Sequence, residues 1–307
     1  MQKILCNEYL RAAIDTLGAQ LVSIKLSCGT EVLWPGKEGV WTSHAPLLFP
    51  WAGRVKDAQF THGGQTFAAG KHGFVSKMEH SCTKECADEL CFEIVSSEAT
   101  RKLFPYDFRL VQSFKLDGRT LVHTAEVTNT GAAAMFFGLG FHPGFICPFR
   151  AEKSACDYET VFDTPQSPDL IEITKTTGLP TGKKTPFMHN KSSIVLADDL
   201  FRGNTLCLSG LTASSITLRE KPDAAANNGA PFRKAGLYSI EVGIKDVPYV
   251  LLWSAATEKL EFLCIEPWYS LPDFEDAQSE WETKRNLMRL QSGKTFSARL
   301  PLTFHTK

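Results

Sequence analysis

Two residues at the ends of apolar runs have the types and placement to move protons. Glu266 stands in FLCIEPWYSL, Phe262 to Leu271, and His142 in MFFGLGFHPGF, Met135 to Phe145. Each directly precedes a proline, which pushes its predecessor towards extended backbone and offers no N–H to a ladder. The pattern therefore predicts strands that stop at Glu266 and at His142 and present those side chains. A carboxylate that accepts a proton and an imidazole that donates one can work as a pair across a small substrate, without metal or cofactor. A carboxylate inside an apolar run is costly to bury and calls for a reason. For His142 the plain alternative is a hydrogen-bonded core histidine. Two loop residues join the candidates: Arg54, which closes HAPLLFPWAGR, and His72 in Lys71-His72-Gly73-Phe74. Surface exposure is the ordinary fate of both types on loops. Trp268, Tyr269 and Phe141 serve either as core or as flat faces for a ring-shaped ligand. The remaining histidines, His44, His62, His80, His123, His189 and His305, show no useful spacing and read as solvated or structural.

Many short strands must position these groups. Residues 14 to 34 read as an opening hairpin with a Cys-Gly turn, and His62-Gly63-Gly64 as a tight turn. FRLVQSFKL and RTLVHTAEVTN flank Asp117-Gly118, a favoured two-residue hairpin turn, with Phe108, Leu110, Phe114 and Leu116 on one face at period two. Residues 147 to 190 are poor in long apolar runs and read as excursions over the surface, and Glu220 to Lys234 as an exposed loop. Strands are expected at Ser193 to Leu196, Thr205 to Leu208, Ser215 to Leu218, Tyr249 to Ala255 and Leu260 to Ile265. Residues 274 to 285 are the best helical stretch, and the tail forms a hairpin around Ser292-Gly293. Short strands at spacings near ten residues with hardly a helix imply an all-β sandwich or barrel of antiparallel strands. No linker divides the chain, so residues 1 to 307 read as one domain.

Composition narrows the partners. The 307 residues are 43 % hydrophobic and 22 % charged, with net charge −1. That is an ordinary globular balance, without the basic excess expected of a nucleic-acid or anionic-membrane partner. No run approaches the ~18 apolar residues of a membrane span, and Glu8, Arg11 and Asp15 interrupt any secretory signal. Nine cysteines, an odd number without paired spacing, favour reduced thiols and a cytoplasmic setting. Cys82, Cys86 and Cys91 are unevenly spaced for zinc and read as ordinary thiols. No Walker loop, GxGxxG turn, GxSxG elbow or HExxH pair is present. A glycosidase would need a second acid, and Glu261 and Asp273 lack supporting context.

The pieces GAQLVSI, EVLW, PLLFPWAGR, KHGF, GFHPGF and CIEPWYSLPD, in that order across nearly the whole chain, resemble the aldose 1-epimerase (galactose mutarotase) family, in its bacterial branch with a strand-end IEPWY. The resemblance implies a large antiparallel β-supersandwich and a monosaccharide substrate. Glu266 would be the base that takes the anomeric hydroxyl proton and His142 the acid that protonates the ring oxygen. His72 would bind substrate near the ring oxygen, Arg54 would bind ring hydroxyls, and Trp268 would line the site. The family holds hydroxyls with a mid-chain aspartate; here the register places Asn204, which lacks the charge. A free hexose is the leading substrate. A non-catalytic sugar-binding protein and an epimerase for a phosphorylated sugar are the competing readings, the latter calling for several convergent arginines, of which Arg54 is the well-placed one and Arg202 and Arg219 are further candidates.

Overall fold

Strict alternation builds one wall of the molecule. Phe108–Asp117 and Thr120–Asn129 bury every second residue, pair through ten register positions and turn at Asp117-Gly118 as the sequence predicts. The computed structural model describes residues 1–202, 205–222, 237–271 and 273–306. Strand makes up 51 % of it and helix 6 %, so the protein is all-β, and the named strands pair antiparallel throughout. The first wall is a nine-stranded sheet in the order Lys191–Val195, Tyr158–Gln166, Ser215–Glu220, Leu237–Gly243, Thr295–Thr306, Thr120–Asn129, Phe108–Asp117, Glu89–Val95, Ser81–Glu85.

The second wall is an eight-stranded sheet running Pro180–Pro186, Asp169–Ile173, Leu206–Ser209, Tyr249–Trp253, Phe262–Trp268, Gly140–Phe141, Leu47–Leu48, with Gly144–Ile146 also paired to Phe262–Trp268. Its central strands do not alternate, because both faces are covered: all seven residues of Phe262–Trp268 are buried. Leu263 and Ile265 enter the main core with Phe108, Leu110 and Phe114 of the nine-stranded sheet. Phe262, Cys264, Glu266 and Trp268 point the other way, where smaller aromatic and aliphatic clusters surround them. A third sheet, Gln2–Cys6, Leu10–Asp15 and Gln20–Leu26, adds Leu5, Ile14 and Ile24 to the main core. No helix among the described residues is long and apolar enough to cross a membrane.

Four local expectations are corrected. The strand does not stop at Glu266 but runs through Pro267 to Trp268. The missing N–H is tolerated because the neighbouring ladder is interrupted there, between Gly144↔Cys264 and Gly140↔Trp268. Residues 147 to 190 contain the strands Tyr158–Gln166, Asp169–Ile173 and Pro180–Pro186; the last, with mostly exposed residues, edges its sheet and so lacks an apolar signature. The stretch 274 to 285 yields only the 3-10 turn Trp281–Thr283, since Trp281 alone is fully buried and no apolar stripe drives a helix. Around Ser292-Gly293 the chain does not form a hairpin: Met288–Leu290 pairs with Met135–Phe137, and Thr295–Thr306 with Thr120–Asn129. Residues 223 to 234 of the expected Glu220 to Lys234 loop lie outside the described residues.

Candidate active site

The break in the ladder is where the two candidates meet. Carried across the gap, the register Gly140↔Trp268 and Gly144↔Cys264 sets His142 opposite Glu266 on the same face. Their side chains come together, His142 Nε2 lying 3.3 Å from Glu266 Oε2, with His142 6 % and Glu266 2 % exposed. The glycines flanking His142 exist for its neighbours. A Cβ at Gly140 would lie 2.7 Å from the Trp268 ring, and one at Gly144 2.6 Å from Trp41. Trp41 stacks on the imidazole (4.9 Å, 24°) and Trp253 meets it edge-on (5.7 Å). His142 Nδ1 and the Trp268 indole N–H are buried without a hydrogen-bond partner among the described residues.

His72 completes the cluster, its ring 5.5 Å from that of His142 and 5.7 Å from Trp268. Its left-handed backbone (φ 69°) is held by two bonds with Gly53: the His72 N–H donates to the Gly53 carbonyl at 2.7 Å, and the Gly53 N–H donates to His72 Nδ1 at 3.0 Å. An Nδ1 that accepts leaves the proton on Nε2, so His72 is a fixed N–H donor. The Trp51 indole pins the same loop by donating to the Gly70 carbonyl at 2.7 Å. Arg54 follows Gly53, and its carbonyl accepts from the Asp273 N–H at 3.0 Å.

The electrostatics follow from burial. Desolvation drives the Glu266 pKa well above the usual carboxylate range, opposed by the Lys71 ammonium and by the nearby Trp268 N–H, which falls short of hydrogen-bond geometry. Burial, then Lys71, pushes His142 down to about 3. Burial, His142, Lys71 and Arg54 likewise hold His72 well below its ordinary value. Lys71 is solvent-exposed, yet protein packed around its ammonium lowers its pKa; Arg54 adds to this and Glu266 opposes it. Lys71 is thus the charge that acts on all three site residues, a role sequence reasoning missed because a loop lysine carries no distinguishing pattern. Trp41 and Trp253 were missed for the same reason.

His142, Cys264 and Glu266 bring ligand atoms within 4.8 Å of one another. Burial and Glu266 hold the Cys264 thiol well above its ordinary pKa, and the lysine beside it disfavours a cation, so the trio suits proton chemistry better than metal. Cys82, Cys86 and Cys91 do not converge as a ligand set among the described residues. Other acids are engaged elsewhere: Asp273 forms a buried pair with Lys284, and Glu261 meets Lys37 at 2.6 Å. Asn204 lies outside the described residues, so only the remaining sequence-derived candidates are placed.

A buried acid/base pair on a large antiparallel sandwich is the setting in which the comparisons fall. The aldose 1-epimerase family model matches residues 2–211. The LacX protein of Lactococcus lactis, plasmid form, is 32 % identical over 272 residues, 86 % of each chain. A galactose mutarotase related enzyme from Lactobacillus acidophilus superposes with TM-score 0.90 at 27 % identity, covering 99 % of this chain and 97 % of that one. A protein of Salmonella typhimurium described as a putative glucose-6-phosphate 1-epimerase is 32 % identical over 145 residues, 43 % of this chain and 46 % of its own. The chain belongs to the aldose 1-epimerase family, and its fold is galactose mutarotase-like.

Proposed function

We propose that this protein is an aldose 1-epimerase that interconverts the α and β anomers of a hexose through Glu266 and His142. One observation carries the reading. In a cyclic sugar the anomeric and ring oxygens hang from the same carbon, so an acid and a base that serve both must be neighbours, and here they are 3.3 Å apart. Glu266 as carboxylate takes the proton of the anomeric hydroxyl while His142 as imidazolium gives one to the ring oxygen. The ring opens to the aldehyde, the C1–C2 bond rotates, and the reverse transfers close the ring on the other carbonyl face. Atoms balance without a covalent intermediate.

The environment favours this sequence. Ring opening turns an ionised pair into a neutral carboxylic acid and a neutral imidazole. Those are the forms that burial stabilises, as the raised Glu266 and lowered His142 values indicate. The same feature makes the ionised pair costly before reaction, so binding of the sugar must supply part of that cost. His72 donates its Nε2–H to substrate, Arg54 binds hydroxyls or a substituent, and Trp268 offers a face to the ring. Acid/base help of roughly 10²–10⁴-fold with positioning suffices for a reaction already feasible in water. A two-carboxylate glycosidase fits poorly, since Asp273 and Glu261 are paired with lysines. All nine cysteines are free, which supports a reducing, cytoplasmic setting; the family match supports a monosaccharide as partner.

The test is polarimetry of freshly dissolved α-D-glucose and α-D-galactose with the wild-type protein. Acceleration towards the equilibrium rotation is expected on at least one of them or on an anionic derivative; no acceleration on any of these would overturn the reading.

A further inference from the structure

Where the loop that carries Lys71 and His72 meets the one that carries Arg54, a cavity of about 310 Å³ opens on the surface, with Arg54, Lys56, Lys71 and Thr177 on its wall. That is the lower end of the range for small-molecule sites. Lys71 belongs both to this wall and to the surroundings of Glu266 and His142. Neither the Lys71 ammonium nor the Arg54 guanidinium has an ion-pair or hydrogen-bond partner among the described residues. The acids on the wall do not neutralise them. Asp57 forms no ion pair with either among the described residues, and Glu275 accepts the Thr177 hydroxyl at 2.5 Å and faces Lys56, whose own ammonium reaches the Ala277 carbonyl at 3.4 Å. Arg54 is exposed and passes over Gly178, where an added Cβ (φ 71°) would sit 3.1 Å from Arg54 Cδ and Nε. The neighbouring loop is pinned by Trp51 and by the paired His72–Gly53 bonds.

We infer that Lys71 and Arg54 form an anion-binding subsite, so that the substrate is an aldose carrying a phosphate or carboxylate on the carbon chain next to its ring oxygen. The inference rests on the acid/base reading for its placement. That reading sets His142 at the ring oxygen and the substituent of the adjoining carbon towards His72, whose ring is 5.5 Å from that of His142 and whose preceding residue is Lys71. Charge balance points the same way. The catalytic pair is neutral overall when it holds one proton, which leaves the Lys71 and Arg54 cations on one cavity wall, near an imidazole that must itself become cationic. An anion on the substrate neutralises them, and a phosphate or carboxylate matches the planar guanidinium and the compact ammonium.

The experiment measures anomeric exchange by NMR for D-glucose, D-glucose 6-phosphate and D-glucuronate, with wild type, Lys71→Met and Lys71→Arg, alongside calorimetric titration of inorganic phosphate. Wild type is expected to prefer an anionic sugar over D-glucose, the phosphate and carboxylate arms showing which anion is read. In Lys71→Met that preference shrinks roughly 10- to 100-fold, mainly through KM, as expected for loss of a charged hydrogen bond; Lys71→Arg retains most of it. Inorganic phosphate should bind wild type and be weakened in Lys71→Met. If D-glucose is turned over as well as either anionic sugar, the subsite is overturned and the epimerase reading stands. If none of the three sugars is turned over, the epimerase reading falls. The subsite then survives only if phosphate binds and Lys71→Met weakens it; absent or unchanged phosphate binding overturns it.

Discussion

Two histidines, His123 and His142, are both buried and both pushed by burial to about 3, yet their surroundings differ in kind. His123, on the nine-stranded sheet, stacks on Phe114 (4.2 Å) and donates from Nε2 to Gln112 Oε1 at 3.0 Å. Gln112 in turn donates to the Gly18 carbonyl and meets His80, which is anchored on the Met78 carbonyl. His142, which follows Gly140–Phe141 of the eight-stranded sheet, has an orphaned Nδ1, and among the described residues its only ion-pair neighbour within 4 Å is Glu266. Burial is common to both; what separates a structural imidazole from a reactive one is unsatisfied hydrogen-bonding capacity beside a second titrating group.

The comparison is broken most forcefully at the catalytic pair. Glu266→Gln and His142→Asn keep shape and remove proton transfer, so each is expected to lower kcat for anomerisation by roughly 10²–10⁴-fold while unfolding midpoints change little. Polarimetry and urea denaturation on the same samples check this; an active Glu266→Gln protein would show that the carboxylate is structural. Next in size is Gly140→Ala, whose Cβ would meet the Trp268 ring at 2.7 Å. Overpacking should cost about 1–3 kcal/mol in stability and misplace the ring beside His72, which thermal unfolding and kcat/KM together report.

His123→Gln should behave in the opposite sense. Its loss of the Gln112 bond lowers stability by about 1–3 kcal/mol and leaves kcat unchanged, although the ring touches Phe141 (4.9 Å) next to His142. The pH dependence sharpens this. Between 6.5 and about 3 the unfolded chain holds a proton on His123 that the folded chain excludes. Stability therefore rises with pH across that window, by about 1.36 kcal/mol per unit for this group, and is lost on acidification. Denaturation series from about pH 6 to 4 should show that slope flattened in His123→Gln. At His142 the same trend is opposed by Glu266, whose raised pKa makes the folded state keep a proton above 4.5 that the unfolded chain releases. The smallest effect is expected from Cys264→Ala: a neutral thiol transfers no proton, so turnover should stay above the ~10²-fold loss typical of an acid or base, and a chelator should not alter it.

Much of this was legible because chemistry and pattern coincided. The hairpin Phe108 to Asn129 follows from period two and Asp117-Gly118, one face being wet. Glu266 and His142 stood out because an acid or imidazole interrupts an apolar, two-sidedly buried run before a proline. Their juxtaposition was not readable, since it depends on the cross-strand register around a gap that also houses Pro267. Of the strands between Tyr158 and Pro186, Pro180–Pro186 was hidden because an exposed edge strand loses the apolar alternation, and the inner strand Tyr158–Gln166 because it buries the polar Glu159, Thr160 and Gln166 beside Tyr158 and Phe162. Residues 274 to 285 suggested helix by propensity, which tertiary packing overrode. Lys71 was invisible for a different reason: its effect comes from what surrounds it, and no spacing along the chain encodes that.

The claim that His142 and Glu266 act as one unit is tested most directly by NMR anomeric exchange in Glu266→Gln, His142→Asn and the double variant, using whichever sugar the wild type turns over. A pair that shares one proton path predicts a double variant no slower than the slower single variant. Losses that multiply, or single losses under about tenfold, would contradict a shared path and assign the two residues separate, structural roles.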